Sequence, residues 1–155
     1  LSHMNTKYFS ALFLTFFFFS IFVFGQKHIV ILSTNDTHSR IEPIPESDKA
    51  APGLGGVERR LIYINQVRKD NKNVFLFDSG DFLQDTPYFN LFKGEVEVEA
   101  MNRLNYDAAT IGNHEFDYGL EVLEKVIRNA KFPIISANYD FSDTSLKDLV
   151  KPYWN

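Results

Sequence analysis

After residue 27 the chain alternates short apolar runs with longer amphipathic segments. Residues 28–34, HIVILST, form a continuous β-branched run. Such a run predicts a strand buried on both faces, as in a parallel sheet. Residues 42–56, EPIPESDKAAPGLGG, are polar and rich in proline and glycine, which predicts a loop. In VERRLIYINQVRKD, residues 57–70, Val57, Leu61, Ile64 and Val67 recur at helical spacing. NVFLFD at 73–78 predicts a second buried strand. GEVEVEAMNRLN at 94–105 carries both periods. Glu95 to Val98 alternate like a strand, whereas Val98, Ala100 and Met101 suit a helix. The acids gathered at its start decide for a helix, because the helix dipole favours them in the first turn. AATI at 108–111 predicts a third strand and FPIISA at 132–137 a fourth. Between them LEVLEKVIRNA, 120–130, predicts a helix with Leu120, Leu123, Val126 and Ile127 on one face. Strands alternating with helices predict an α/β fold, a parallel sheet covered by helices on its faces.

Ligands of such sheets bind beyond the carboxyl ends of the strands. NDTH follows the first strand, SGDFLQD the second and GNHEFD the third, so all three polar clusters fall on one edge. Taken singly, Asp36, Asp81, Asn113 and Asp117 each have an explanation as turn or capping residues. Together, on one edge, they point to a site. Asp36 and His38 are one residue apart and can turn toward one point. Asp81 adds a carboxylate and Asn113 an amide oxygen. Oxygen and imidazole donors suit zinc, manganese or iron. A carboxylate can bridge two cations, and two metals about 3.5–4 Å apart can activate a water and clamp both oxygens of an in-line displacement. His114 is placed to protonate or stabilise a departing oxygen. Asp117, three residues on, can orient His114 and raise its pKa. Glu115 reads as a residue bonding within its loop, and Asp78 as a brace for the loop that follows it.

Composition narrows the classes. The chain of 155 residues has no cysteine, so there is no disulfide framework and no thiolate chemistry. Residues 1–3 read as an expression scar, with Met4 as the native start. Residues 4–25 read as a signal peptide: Lys7 is followed by an almost wholly apolar run from Tyr8 to Phe24, and Val23 and Gly25 precede a cut before Gln26. A run of roughly 17 residues is near the lower limit for spanning a bilayer, so a retained anchor is the alternative. Without Lys7, 15 of the 16 basic residues face 20 acidic ones, a net charge of -5. There is no basic stripe of the kind nucleic acid requires. GLGGVERR has two glycines of a dinucleotide fingerprint, but Glu58 takes the third glycine position and a long loop, not a strand, precedes them. Neither a GKS or GKT phosphate loop nor a G-x-S-x-G elbow occurs.

TNDTH, GGVERR, DSGDFLQDTP and GNHEFDYG, in that order, resemble the calcineurin-like metallophosphoesterase superfamily. Within it they resemble the secreted 5'-nucleotidase and UDP-sugar hydrolase branch. The resemblance covers about residues 29–138. It implies the N-terminal half of a four-layer α/β/β/α sandwich, built of two sheets flanked by helices, with two divalent metal ions at its site. On that basis Asp36 and His38 are ligands of the first metal, Asp81 is the bridging carboxylate, Asn113 is a ligand of the second, and His114 and Asp117 are the catalytic dyad. The implied reaction is hydrolysis of a nucleotide or other small phosphate ester by an exported enzyme. Its alternatives are a cyclic-nucleotide or UDP-sugar hydrolase and a non-catalytic binding module.

Two departures stand out. The family often has glycine where this chain has Ser39 and Asp85. Ser39 matters only if the backbone there needs a positive φ, and Asp85 adds a carboxylate near the site. The family also draws further histidine ligands from downstream loops, and this chain has four histidines: His3, His28, His38 and His114. Residues 26–155 therefore read as the N-terminal part of a catalytic domain, truncated, inactive by itself, and exposing apolar sheet surface where a second sheet is missing.

Overall fold

A computed structural model describes residues 27–153; residues 1–25, expected from sequence to be an expression scar and a signal peptide, lie outside the described residues. Five strands form one parallel sheet in chain order: β1 Val30–Thr34, β2 Val74–Asp78, β3 Ala108–Ala109, β4 Ile134–Ile135 and β5 Val150–Lys151. Four α-helices connect them: α1 Val57–Asp70, α2 Pro87–Phe92, α3 Glu95–Leu104 and α4 Gly119–Asn129. The α/β expectation holds, as does the choice of helix for residues 95–104.

The covering of the sheet differs from the helices on both faces that strand–helix alternation alone predicts, and agrees with the half sandwich with an exposed apolar sheet face that the resemblance implies. Strand order follows chain order, so crossovers of one hand carry every connecting helix to the same face. α3 accordingly packs beside both α1 and α4. β1 is not buried on both faces: its residues alternate between half-buried and exposed, and Ile31 is 65% exposed. Phe75 of β2 is 41% exposed and stacks on Phe77. The core lies between the sheet and the helices, from Leu76 and Ile134 to Ile64, Val98, Met101, Leu123, Val126 and Ile127. Leu120 leaves the stripe predicted for α4 and is exposed; it sits in the first turn, at the rim of the layer.

Some elements are shorter than predicted and others are new. β3 ends at Ala109, and the chain then turns into the third loop. β4 is two residues long, and β5 pairs with it through Ile134 and Val150, a pairing too short for periodicity to reveal. α2 follows Thr86 with proline in its first turn, where a missing N–H costs nothing.

The register sets the site. Thr34 pairs with Asp78, and Asp78 with Ala109, so the three strands end at one level. Beyond it the first two loops keep pairing: Asp36 N–H donates to Gly80 O at 3.1 Å, His38 N–H to Asp81 O at 3.0 Å and Ser39 N–H to Phe82 O at 2.9 Å. Below, buried Asp78 accepts the Thr34 hydroxyl at 2.6 Å and the Gly80 N–H at 2.9 Å, the loop-bracing role expected of it. Burial raises the Asp78 pKa, and those two hydrogen bonds pull against it.

Candidate metal centre

One donor atom from each of His38, Asp81 and His114 lies within 4.8 Å of the others. Each comes from a different loop, after β1, β2 and β3 respectively. Asp36 Oδ1 is 3.7 Å from His38 Nε2. The His38 and His114 rings meet edge to face with centroids 5.0 Å apart. Asp117 Oδ2 is 2.7 Å from His114 Nδ1. Asn113 is exposed and precedes the short 3₁₀ turn His114–Phe116, in the same loop. The fold thus brings Asp36, His38, Asp81, His114 and Asp117 to one place, with Asn113 beside them in the chain. His114 belongs to the close triad as well as to the pair with Asp117.

Two glycines permit this approach. Gly80 has φ 97°, and a Cβ there would sit 2.6 Å from the Gly112 nitrogen. A Cβ on Gly112 would fall on the Asp81 carboxylate. The second and third loops can therefore touch only through bare backbone.

Glu115 holds them together. It is 2% exposed, and its carboxylate accepts four backbone N–H groups. Oε1 takes Phe82 at 2.9 Å and Leu83 at 3.2 Å; Oε2 takes Asp81 at 3.0 Å and Gly112 at 2.6 Å. Burial raises its pKa, and the N–H groups oppose that rise. Four donors on an acceptor-only arrangement are those of an ionised carboxylate. From sequence Glu115 is expected to bond within its own loop; three of its four bonds instead cross to the neighbouring one. Asp81 Oδ1 returns a link by accepting the His114 N–H at 2.9 Å.

Backbone conformation is unusual throughout. Asp36, His38, Ser39, Asp81, Gln84 and Asp85 all have positive φ, between 44° and 81°. Non-glycine residues in this region are uncommon and cluster at functional sites. Both departures noted above, Ser39 and Asp85, are among them. Thr86, at the start of α2, does not cap that helix. Its hydroxyl donates across to the Ser39 carbonyl at 3.0 Å, tying the first loop to the second.

The hydrogen bond to Asp117 is the chief cause that raises the His114 pKa; burial opposes it, and the charges of Asp117, Asp81 and Asp85 add to it. The Asp117 pKa is lowered by His114 and by Gln84, whose Nε2 donates to Asp117 Oδ2 at 2.8 Å. The one sequence signal for Gln84 is its place in SGDFLQD, three residues after Asp81. Among the described residues no lysine or arginine forms an ion pair with Asp36, Asp81, Asp85 or Asp117. Converging carboxylates without a protein cation, next to imidazole nitrogens, fit a divalent ion in charge and in donor type.

The sequence profile of the calcineurin-like phosphoesterases matches residues 29–153. The chain belongs to the calcineurin-like phosphoesterase family. It is 46% identical over 118 residues to a snake venom 5'-nucleotidase of Naja atra, covering 74% of this chain and 22% of that protein. It is 44% identical over 119 residues to the 5'-nucleotidase of Homo sapiens, covering 74% and 21%. Among solved structures of this phosphoesterase fold, a 5'-nucleotidase precursor from Thermus thermophilus superposes with a TM-score of 0.75 at 38% identity, covering 81% of this chain and 25% of that one. The NAD nucleotidase of Haemophilus influenzae gives 0.72 at 36%, covering 81% and 23%. The chain thus spans about a fifth to a quarter of the length of these relatives.

Proposed function

We propose that the protein carrying this chain is a metal-dependent phosphomonoester hydrolase acting on 5'-nucleotides. The observation that carries the reading is the convergence of His38, Asp81 and His114 from three strand ends. The 5'-nucleotidases to which the chain is similar supply the substrate class. In this reading Asp36 and His38 would hold one ion, Asn113 the second, and Asp81 would be shared between them. When bound, two divalent ions (zinc, manganese, iron or cobalt) supply positive charge to phosphoryl oxygens and lower the pKa of a water. His114 keeps Nδ1 on Asp117, which leaves Nε2 to meet the substrate. Its raised pKa keeps more of the ring protonated near neutral pH, the state that can donate to a departing oxygen. Asp117 and Gln84 fix the orientation of the ring.

The exposed apolar face of Ile31 and Phe75 is the surface that a second sheet of the four-layer sandwich would cover. The reading places the enzyme outside the cytoplasm after cleavage before Gln26, with membrane contact only if that segment is kept. N-terminal sequencing of exported protein beginning upstream of Gln26 would count against it.

The test uses the complete protein. AMP hydrolysis should vanish with a chelator and return with Mn, Co or Zn. Full activity in metal-free protein would sink the reading. His114→Asn should cut turnover by about 10²- to 10⁴-fold, the usual worth of a proton-transfer or charge-stabilising group. A substrate panel of AMP, cyclic nucleotides, UDP-sugars and NAD separates nucleotidase from the alternatives; NAD belongs on it because of the likeness to a NAD nucleotidase.

A further inference from the structure

Asp85 stands against the outer nitrogen of His38. Its Oδ2 lies 3.1 Å from His38 Nδ1. Across the ring, Nε2 lies 3.7 Å from Asp36 Oδ1. Two ligands on one ion, with bonds of about 2.1 Å at tetrahedral angles, are about 3.4 Å apart. Nε2 is therefore the nitrogen on the Asp36 side of the ring, spaced from Asp36 as two ligands of one ion would be, and Nδ1 is on the Asp85 side. Nδ1 is buried and has no partner in hydrogen-bond alignment. The Asp85 carboxylate is the acceptor within distance of it, though off the N–H line.

We propose that Asp85 is a positioning residue for His38: its carboxylate takes the Nδ1–H and so presents an unprotonated Nε2 to a divalent ion. This rests on the metal-centre reading above. Only an unprotonated imidazole nitrogen binds metal, and the partner of the other nitrogen decides which one that is. The surrounding backbone holds the pair in place. His38 N–H bonds to Asp81 O, Ser39 N–H to Phe82 O, and the Thr86 hydroxyl to Ser39 O. Asp85 occupies φ 69°, where glycine is at less cost, so the carboxylate sits there against the backbone preference.

The test compares wild type, Asp85→Gly and Asp85→Asn in the complete, metal-free protein. Glycine relaxes the backbone, so a Tm at or above the wild-type value shows that the fold is kept. Affinity for Mn²⁺ and Zn²⁺, measured by calorimetry, should fall about tenfold or more in Asp85→Gly, within the 10- to 100-fold known for partners of metal-binding histidines. Asp85→Asn keeps an acceptor oxygen and should recover most of the loss. Nitrogen NMR of His38 should show the Nδ1–H tautomer in wild type and Asp85→Asn, and a mixture in Asp85→Gly. Wild-type affinity in Asp85→Gly, or no recovery in Asp85→Asn, overturns the proposal. If wild type binds neither metal, the metal-centre reading fails, and the tautomer of His38 still decides whether Asp85 orients it.

Discussion

Glu115 Oε1 accepts the backbone N–H of Phe82 at 2.9 Å, joining the loop after β3 to the loop after β2 from inside the protein. With the other three N–H groups, this carboxylate fixes where Asp81 and His114 stand. Glu115→Gln would place an NH₂ against two of those donors. Each donor left without an acceptor costs about 1–3 kcal/mol. The expected result is a Tm several degrees lower and weaker divalent-metal binding, since Asp81 and His114 then drift apart. Unchanged Tm and unchanged metal affinity would remove Glu115 from this role.

The His114–Asp117 pair titrates in a defined window. In metal-free protein the His114 pKa lies above its ordinary 6.5, chiefly through the hydrogen bond to Asp117. The Asp117 pKa lies below 3.8. A raised histidine pKa gives stability that is full below 6.5 and lost as pH rises through the raised value. A lowered aspartate pKa gives stability that is full above 3.8 and lost as pH falls through the lowered value. The pair therefore contributes fully between about 3.8 and 6.5. NMR titration of His114 in Asp117→Asn should show its pKa moving down toward 6.5. A pKa that stays put would assign the rise to Asp81 and Asp85 instead.

Glu97 of α3 is 3% exposed, and neither carboxylate oxygen has a hydrogen-bond partner. It lines a small cavity with Ser39, whose hydroxyl is also unpartnered. Burial is the main cause of its raised pKa, with the nearby Ser39 hydroxyl opposing. Glu97→Leu should stabilise the protein by about 1–3 kcal/mol at neutral pH, because burying an unpaired polar group is costly. The sign with pH follows from the raised pKa: the wild type loses stability as pH rises from about 4.5 through the folded-state value, and the leucine variant does not. The advantage of the variant should therefore grow over that range. Denaturant unfolding at pH 4 and pH 7 measures it; an advantage that shrinks with pH contradicts the assignment.

Much of the site was legible in the chain. NDTH, GD and GNHEFD each follow a predicted strand, and in a parallel sheet those ends share one edge. The alternation of β-branched runs with helical stripes fixed the α/β class, because periodicities of 2 and 3.6 are properties of local sequence. Local sequence could not say that every helix lies on one face. That follows from the strand order β1-β2-β3-β4-β5, and it is why Ile31 and Phe75, buried on periodicity alone, are exposed, as the resemblance to half of a sandwich implies. Nor could it reach Glu115, three of whose four partners are 32 to 34 residues away in the chain, or Gln84, which meets Asp117 only once both loops are folded. Ser39 and Asp85 show the division most plainly. The sequence marked them as unusual, but only the folded loops put both at positive φ and set the Asp85 carboxylate beside His38. Backbone conformation at a site is decided by the contacts that surround it, and those exist only in the tertiary structure.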